Sequence, residues 1–116
     1  MTEKAVHRRL AAILAVDVVG YSRHMQSDEE GTLAALKSLH RDTVEPIVSS
    51  FQGRVVNAVG DALLAEFGSA INAVNCAVEL QMAMGIANAG VSPDKRLLLR
   101  AGVNLGDVMV EVPLDL

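Results

Sequence analysis

The hydrophobic patterns along this 116-residue chain predict an α+β domain of ferredoxin-like β-α-β-β-α-β topology, a single sheet with its helices on one face. Three observations carry that expectation. LAAILAVDVV at 10–19 is an apolar run rich in branched side chains. RVVNAV and ALLAEF, joined by Gly60-Asp61, read as a hairpin. Two stretches with helical apolar spacing separate these strands from each other and from the last extended segments. A flavodoxin-like parallel sheet is the competing topology; the hairpin favours the antiparallel one.

Composition bounds the rest. The length suits one domain, and 51% hydrophobic residues with only 3% aromatics mean a core of Ala, Val, Leu, Ile and Met rather than a disordered chain. The longest uncharged apolar run, 10–16, is far short of the roughly 20 residues of a bilayer crossing, and no signal peptide is evident, so a soluble, cytoplasmic protein without a membrane segment is expected. Ten basic against fourteen acidic residues give a net charge of −4, which argues against nucleic acid as a partner. The single Cys76 excludes an intramolecular disulfide and a cysteine zinc site, and its place on a helical apolar pattern reads as a buried thiol. His7, His24 and His40 lack ligand spacing to one another and read as surface or boundary residues.

Taken in order, the run 10–19 ends at Gly20 and reads as a central strand covered on both faces. Ser27 and Glu30 form a capping box, so a helix is expected from near Ser27 through the apolar positions Leu33, Leu36, Leu39, Val44, Ile47 and Phe51. Pro46 should kink or shorten its last turns, and Gly53 ends the segment. Ser69 caps a second helix whose stripe of Ala70, Ala73, Val74, Ala77, Leu80 and Met84 faces the core, with Asn72, Asn75 and Glu79 opposite; Gly85 and Gly90 weaken its end. VSPDK at 91–95 is a turn, followed by extended segments at 96–103 and 107–110 separated by Gly106.

Packing alone does not explain two carboxylates. Asp17 interrupts the most apolar strand, where an ionised group costs several kcal/mol unless a cation or several donors compensate it. Asp61 follows Gly60 at the hairpin tip, where Gly-Asp alone is ordinary turn chemistry. If the first strand and the hairpin are neighbours in one sheet, both carboxylates reach one edge and form an oxygen-only site suited to Mg²⁺ or Mn²⁺. VVGYS follows Asp17; its Gly20 allows close backbone approach, and the strand-to-helix turn exposes N–H groups to phosphate oxygens. Arg100, in RAGVNLGD, adds a fixed positive charge for the same polyphosphate. Neither a P-loop nor a Rossmann fingerprint is present.

Three motifs in order, LAAILAVDVVGYSRHM, GRVVNAVGDALLAEF and LLLRAGVNLGDVMV, resemble the catalytic domain of the class III nucleotidyl cyclases, the adenylate and guanylate cyclases, over about residues 9–111. The resemblance implies that residues 1–116 are the N-terminal portion of a single catalytic domain. It implies two Mg²⁺ or Mn²⁺ ions held by Asp17 and Asp61 with the backbone of Val18. It places Val19, Gly20, Tyr21 and Ser22 around the β- and γ-phosphates, Gly60 in the Gly-Asp motif, and Arg100 on the triphosphate. It further implies a substrate of ATP or GTP and a head-to-tail homodimer with active sites between protomers.

Two departures from the family pattern stand out. Where adenylate cyclases usually carry Lys and guanylate cyclases Glu, three residues before the Gly-Asp glycine, this chain has Asn57, which can donate to or accept from either purine. The family also continues with a second purine contact, for which Asp115 is the candidate, and an N-x-x-x-R segment that stabilises the transition state; the sequence ends at Leu116 without it. The expectation is therefore an adenylate cyclase nearly inactive as this chain alone and prone to self-association. The alternatives are a degenerate cyclase homology domain that binds nucleotide or dimerises as a regulator, and a purely structural role for Asp17.

Overall fold

The computed structural model describes residues 3–114. The chain folds as β1 (Glu3–Val18), three helical segments α1 (Tyr21–Ser27), α2 (Glu29–Leu39) and α3 (Glu45–Ser50), the hairpin β2 (Arg54–Val59) and β3 (Ala62–Phe67), α4 (Ala70–Asn88), and β4 (Leu99–Leu114). All strand pairs are antiparallel and the sheet order is β2-β3-β1-β4, the α+β arrangement expected from the patterns.

Side chains at alternate positions of β1 and β3 point to opposite faces. Leu14, Val16, Val18, Leu63, Ala65 and Phe67 are buried with Leu36, Val44, Val48, Ala73, Cys76, Leu80 and Met84 from the helices, and this layer is the core. No helix covers the other face of β1: Ala15 is exposed and Ile13 and Asp17 are half-buried, although Ala11 is buried there. The expectation of a strand covered on both faces is corrected for this chain, because every helix packs on the same side.

The strands are longer than their apolar runs. β1 begins at Glu3 and its first half pairs only with β4, as a two-stranded ribbon that also accounts for a longest dimension of 59 Å. β4 is one strand rather than two, and Gly106 sits inside it opposite Ala11. Ladder pairing with β1 overrides the local weakness of glycine.

Three helical expectations are also corrected. Residues 21–27 form α1, and the next helix is capped by Asp28, whose Oδ1 accepts from the Gly31 N–H at 3.0 Å, rather than by Ser27. Both residues are cap formers, and Ser27 is used up as the last residue of α1. Pro46 does not shorten the helix. A π-turn at His40–Val44, with the Glu45 N–H donating to the His40 carbonyl, leads into α3 and accommodates the donor that proline lacks. α4 runs through Gly85 to Asn88, and its buried positions are Ala73, Cys76, Leu80 and Met84, so Ala70 and Val74 face outward. Ser69 caps it as expected, accepting from the Asn72 N–H.

By length and composition α4 would pass as a membrane crossing, but its buried stripe ties it to the sheet. His24 is buried too, with no hydrogen-bond partner at Nε2, contrary to the surface reading; His7 is exposed and His40 half-buried. Gly53 lies against the ring of Phe67, so closely that any Cβ would collide with it.

Cys76 is fully buried, and loss of hydration pushes its thiol up to about 11. Native protein at pH 8 is therefore expected to resist iodoacetamide, with stoichiometric labelling only after unfolding; mass spectrometry with and without denaturant measures both.

Candidate active site

The antiparallel register places Asp17 of β1 directly opposite Arg100 of β4. Arg100 Nε donates to Asp17 Oδ1 at 2.9 Å and its Nη2 to Oδ2 at 2.8 Å, a bidentate pair at the end of the sheet. These hydrogen bonds hold the Asp17 carboxyl below its ordinary value against a smaller opposing effect of desolvation. The same pair pushes Arg100 up, and the charge of Asp61 adds to it. Three charged groups far apart in sequence thus converge.

Asp61 occupies a two-residue turn between Val59 and Ala62, where Gly60 takes the left-handed φ of 59° that the turn requires. Its Oδ2 accepts from the Val18 N–H at 3.0 Å. That bond ties the hairpin tip to the end of β1, and no sequence pattern announces it. Val19 continues the strand direction, its N–H donating to the Leu98 carbonyl at 2.8 Å. Gly20, with φ 67°, then turns the chain into α1, which begins at Tyr21 and Ser22. Tyr21 packs on the core and Ser22 is exposed.

Asn57 pairs with Leu64, which pairs with Ala15, on the open face of the sheet. Two strand spacings, about 10 Å, separate it from β1. A cleft of about 340 Å³ lies between, bounded by Ala15, Asp17, Ala62, Leu64, Arg100 and Gly102. A larger one of about 420 Å³ between α4 and β4 includes Gln81 and Arg96 but no carboxylate, so the chemistry selects the smaller cleft. The sheet therefore brings together Asp17, Val18, Asp61, Arg100 and the 19–22 turn at one end and sets Asn57 one residue row away. Asp115 lies outside the described residues.

Sequence reasoning missed one cluster on the same open face. Glu66 is only 6% exposed, and its Oε1 accepts from Arg54 Nη2 at 2.6 Å, Arg54 Nε at 3.1 Å and Arg9 Nη2 at 3.2 Å. Opposite charges at the outer end of a hairpin were the available signal. The Arg54 hydrogen bonds, then those of Arg9, hold Glu66 below its ordinary value of 4.5 despite partial desolvation. Because the folded value lies below the unfolded one, this stabilisation is complete above the ordinary glutamate range and is lost as pH falls through the folded value. Urea unfolding from pH 7 to 3 is expected to show stability falling below about pH 5, with a shallower fall in Glu66→Gln. Asp17 has the same sign, but its side chain is 35% exposed and solvent screening discounts it.

The model of the adenylate and guanylate cyclase catalytic domain matches residues 5–113, and the chain belongs to that family. It is 52% identical over 111 residues to "Putative adenylate cyclase 3" of Rhizobium meliloti (strain 1021), an alignment covering 96% of this chain and 19% of that protein. A crystal structure of an adenylate/guanylate cyclase/hydrolase from Silicibacter pomeroyi is similar with a TM-score of 0.83 and 37% identity, over 91% of this chain and 62% of that one. The adenylyl cyclase CyaB from P. aeruginosa shares the fold, with a TM-score of 0.75 at 19% identity, over 96% of this chain and 68% of that one. The chain thus spans about a fifth of the curated relative and under two thirds of the Silicibacter structure.

Proposed function

We propose that residues 1–116 are the metal- and triphosphate-binding, N-terminal portion of an adenylate cyclase that converts ATP to 3′,5′-cyclic AMP and pyrophosphate. The observation that carries this reading is the convergence of Asp17, Asp61 and Arg100 at one end of the sheet, where Asp17 and Arg100 line a cleft and Asp61 accepts from the Val18 N–H beside it. The name of the Rhizobium relative favours ATP, and Asn57 leaves GTP as the alternative substrate.

The donor set fits two divalent cations of the Mg²⁺ or Mn²⁺ kind. Asp17 and Asp61 offer hard carboxylate oxygens beside the Val18 backbone. Among the described residues no cluster of three or more His, Cys, Asp or Glu side chains forms, so bound cations would also need main-chain, phosphate or water oxygens. When bound, the two ions lower the pKa of the ribose 3′-hydroxyl and neutralise the triphosphate.

The protein's own contributions are positional. Val18 N–H holds Asp61 in place, and the 19–22 turn supports the β- and γ-phosphates. Arg100, paired with Asp17 in this structure, would place its fixed positive charge on the triphosphate. In the reaction the 3′-oxygen forms a bond to the α-phosphorus, the bond from that phosphorus to the β-bridging oxygen breaks to release pyrophosphate, and the hydroxyl proton passes to water. The exposed sheet face with Asn57 receives the purine, completed by a second copy in a head-to-tail homodimer in the cytoplasm.

The test is cyclic nucleotide production with Mn²⁺ and ATP or GTP, by this chain and by a longer protein bearing it. Cyclic AMP from the longer protein and nearly none from residues 1–116 is expected; equal turnover by both would overturn the assignment of the chain as a catalytic portion. Asn57 and the direct Asp17–Arg100 pairing favour a second reading, a degenerate regulatory domain. Tight Mn²⁺-dependent binding of a non-hydrolysable ATP analogue by the longer protein, without turnover, would establish it instead.

A further inference from the structure

Counting back from the turn, the hairpin pairs Val59 with Ala62, Ala58 with Leu63 and Asn57 with Leu64. A regular ladder would continue with Val56 opposite Ala65, Val55 opposite Glu66 and Arg54 opposite Phe67. That would turn Arg54 toward the helix-covered face, where Phe67 is buried. The observed pairs are instead Val55 with Ala65 and Arg54 with Glu66, with the register shifting between Val55 and Asn57. Val56 is the extra residue of a β-bulge. Arg54 and Asn57, three apart, consequently share the open face, where a regular strand would put them on opposite faces.

Two groups bracket this shift. The Gly60-Asp61 turn fixes the register at one end, and the Arg54–Glu66 ion pair fixes a register one residue different at the other. Arg9, on β1, bonds the same Glu66 oxygen, so this cluster joins β1, β2 and β3. Partner loss would leave a nearly buried carboxylate poorly compensated, which gives the anchor its hold.

We infer that Glu66, with Arg54 and Arg9, is a positioning group that holds the bulge at Val56 and so sets the angle at which Asn57 meets the purine. A bulge increases local twist and re-aims the side chains beside it, and Asn57 is the next residue. The inference rests on the nucleotide reading of Asn57, and its experiment separates the two.

The first measurement needs no nucleotide: cross-strand nuclear Overhauser contacts in this chain. The native pattern pairs Val55 with Ala65. In Glu66→Gln, and in Arg54→Gln, whose substituted side chain is at the exposed end of the pair, contacts pairing Val56 with Ala65 are expected to appear as the regular register becomes populated. Unchanged Val55–Ala65 contacts in both variants would overturn the inference.

The second measurement is steady-state kinetics of the longer protein. A mis-aimed Asn57 is expected to raise KM for ATP by about ten-fold with kcat nearly kept, whereas simple destabilisation lowers apparent kcat at constant KM. A fall in kcat alone would also overturn the inference. Asn57→Ala is the control. If it leaves KM unchanged for both nucleotides while the register shifts in the Glu66 variant, the nucleotide reading of Asn57 fails and the structural anchor stands.

Discussion

Replacing Asp61 by Asn is expected to lower cyclase turnover of the longer protein by about 10³-fold, with Mn²⁺ affinity falling in parallel. The amide oxygen can still accept from the Val18 N–H, which Asp61 Oδ2 does at 3.0 Å, so the hairpin tip should stay docked. The negative charge goes, and with it half the carboxylate set that would hold the cations. Circular dichroism and thermal unfolding should match the parent, while Mn²⁺ titration and cyclic AMP production collapse. Asp17→Asn should behave similarly toward metal but also frees Arg100, whose side chain is 73% exposed, from its bidentate partner. Unchanged metal affinity in both variants would leave the two carboxylates as structural groups only.

The second large effect concerns stability. Phe67→Ala is expected to destabilise the fold by about 3–5 kcal/mol, a substantial share of the roughly 5–15 kcal/mol of a typical domain. Phe67 is one of only two phenylalanines, is essentially fully buried at the end of β3, and carries Gly53 against its ring. With so few aromatics, the neighbouring Val, Leu and Ala side chains are too short to refill the space. Urea denaturation followed by circular dichroism measures the loss; a change under 1 kcal/mol would show that the cavity collapses.

Topology was legible because its signals are local: two short apolar runs joined by a Gly-Asp turn for the hairpin, apolar spacing for the helices, a Ser69 cap for α4. Element ends were less legible. Asp28 and Ser27 are both competent caps, and only the presence of α1 decides between them. Gly106 reads as a break until sixteen paired residues of β1 hold it in a ladder. The α4 stripe was misplaced by part of a turn because Ala70, Val74 and Cys76 are all apolar; Cys76 is buried as its pattern implied, while contact with β1, β3 and β4 decides that Ala70 and Val74 face outward.

For the candidate site, the residue types are fixed by sequence alone: two carboxylates, a glycine turn and an arginine that core packing has no use for. Their encounter is tertiary. Asp17 meets Arg100 across 83 residues because β1 and β4 are neighbours, and Asp61 reaches Val18 because β3 lies on the other side of β1. The face that Asn57 occupies follows from the register set by the Gly60-Asp61 turn, whereas the face that Arg54 occupies depends on the register shift between Val55 and Asn57. Local sequence selects what each residue can do, since chemistry and propensity belong to the side chain. Strand order and register select what it touches, because those follow from burying one continuous core on one face of the sheet and pairing the charges on the other.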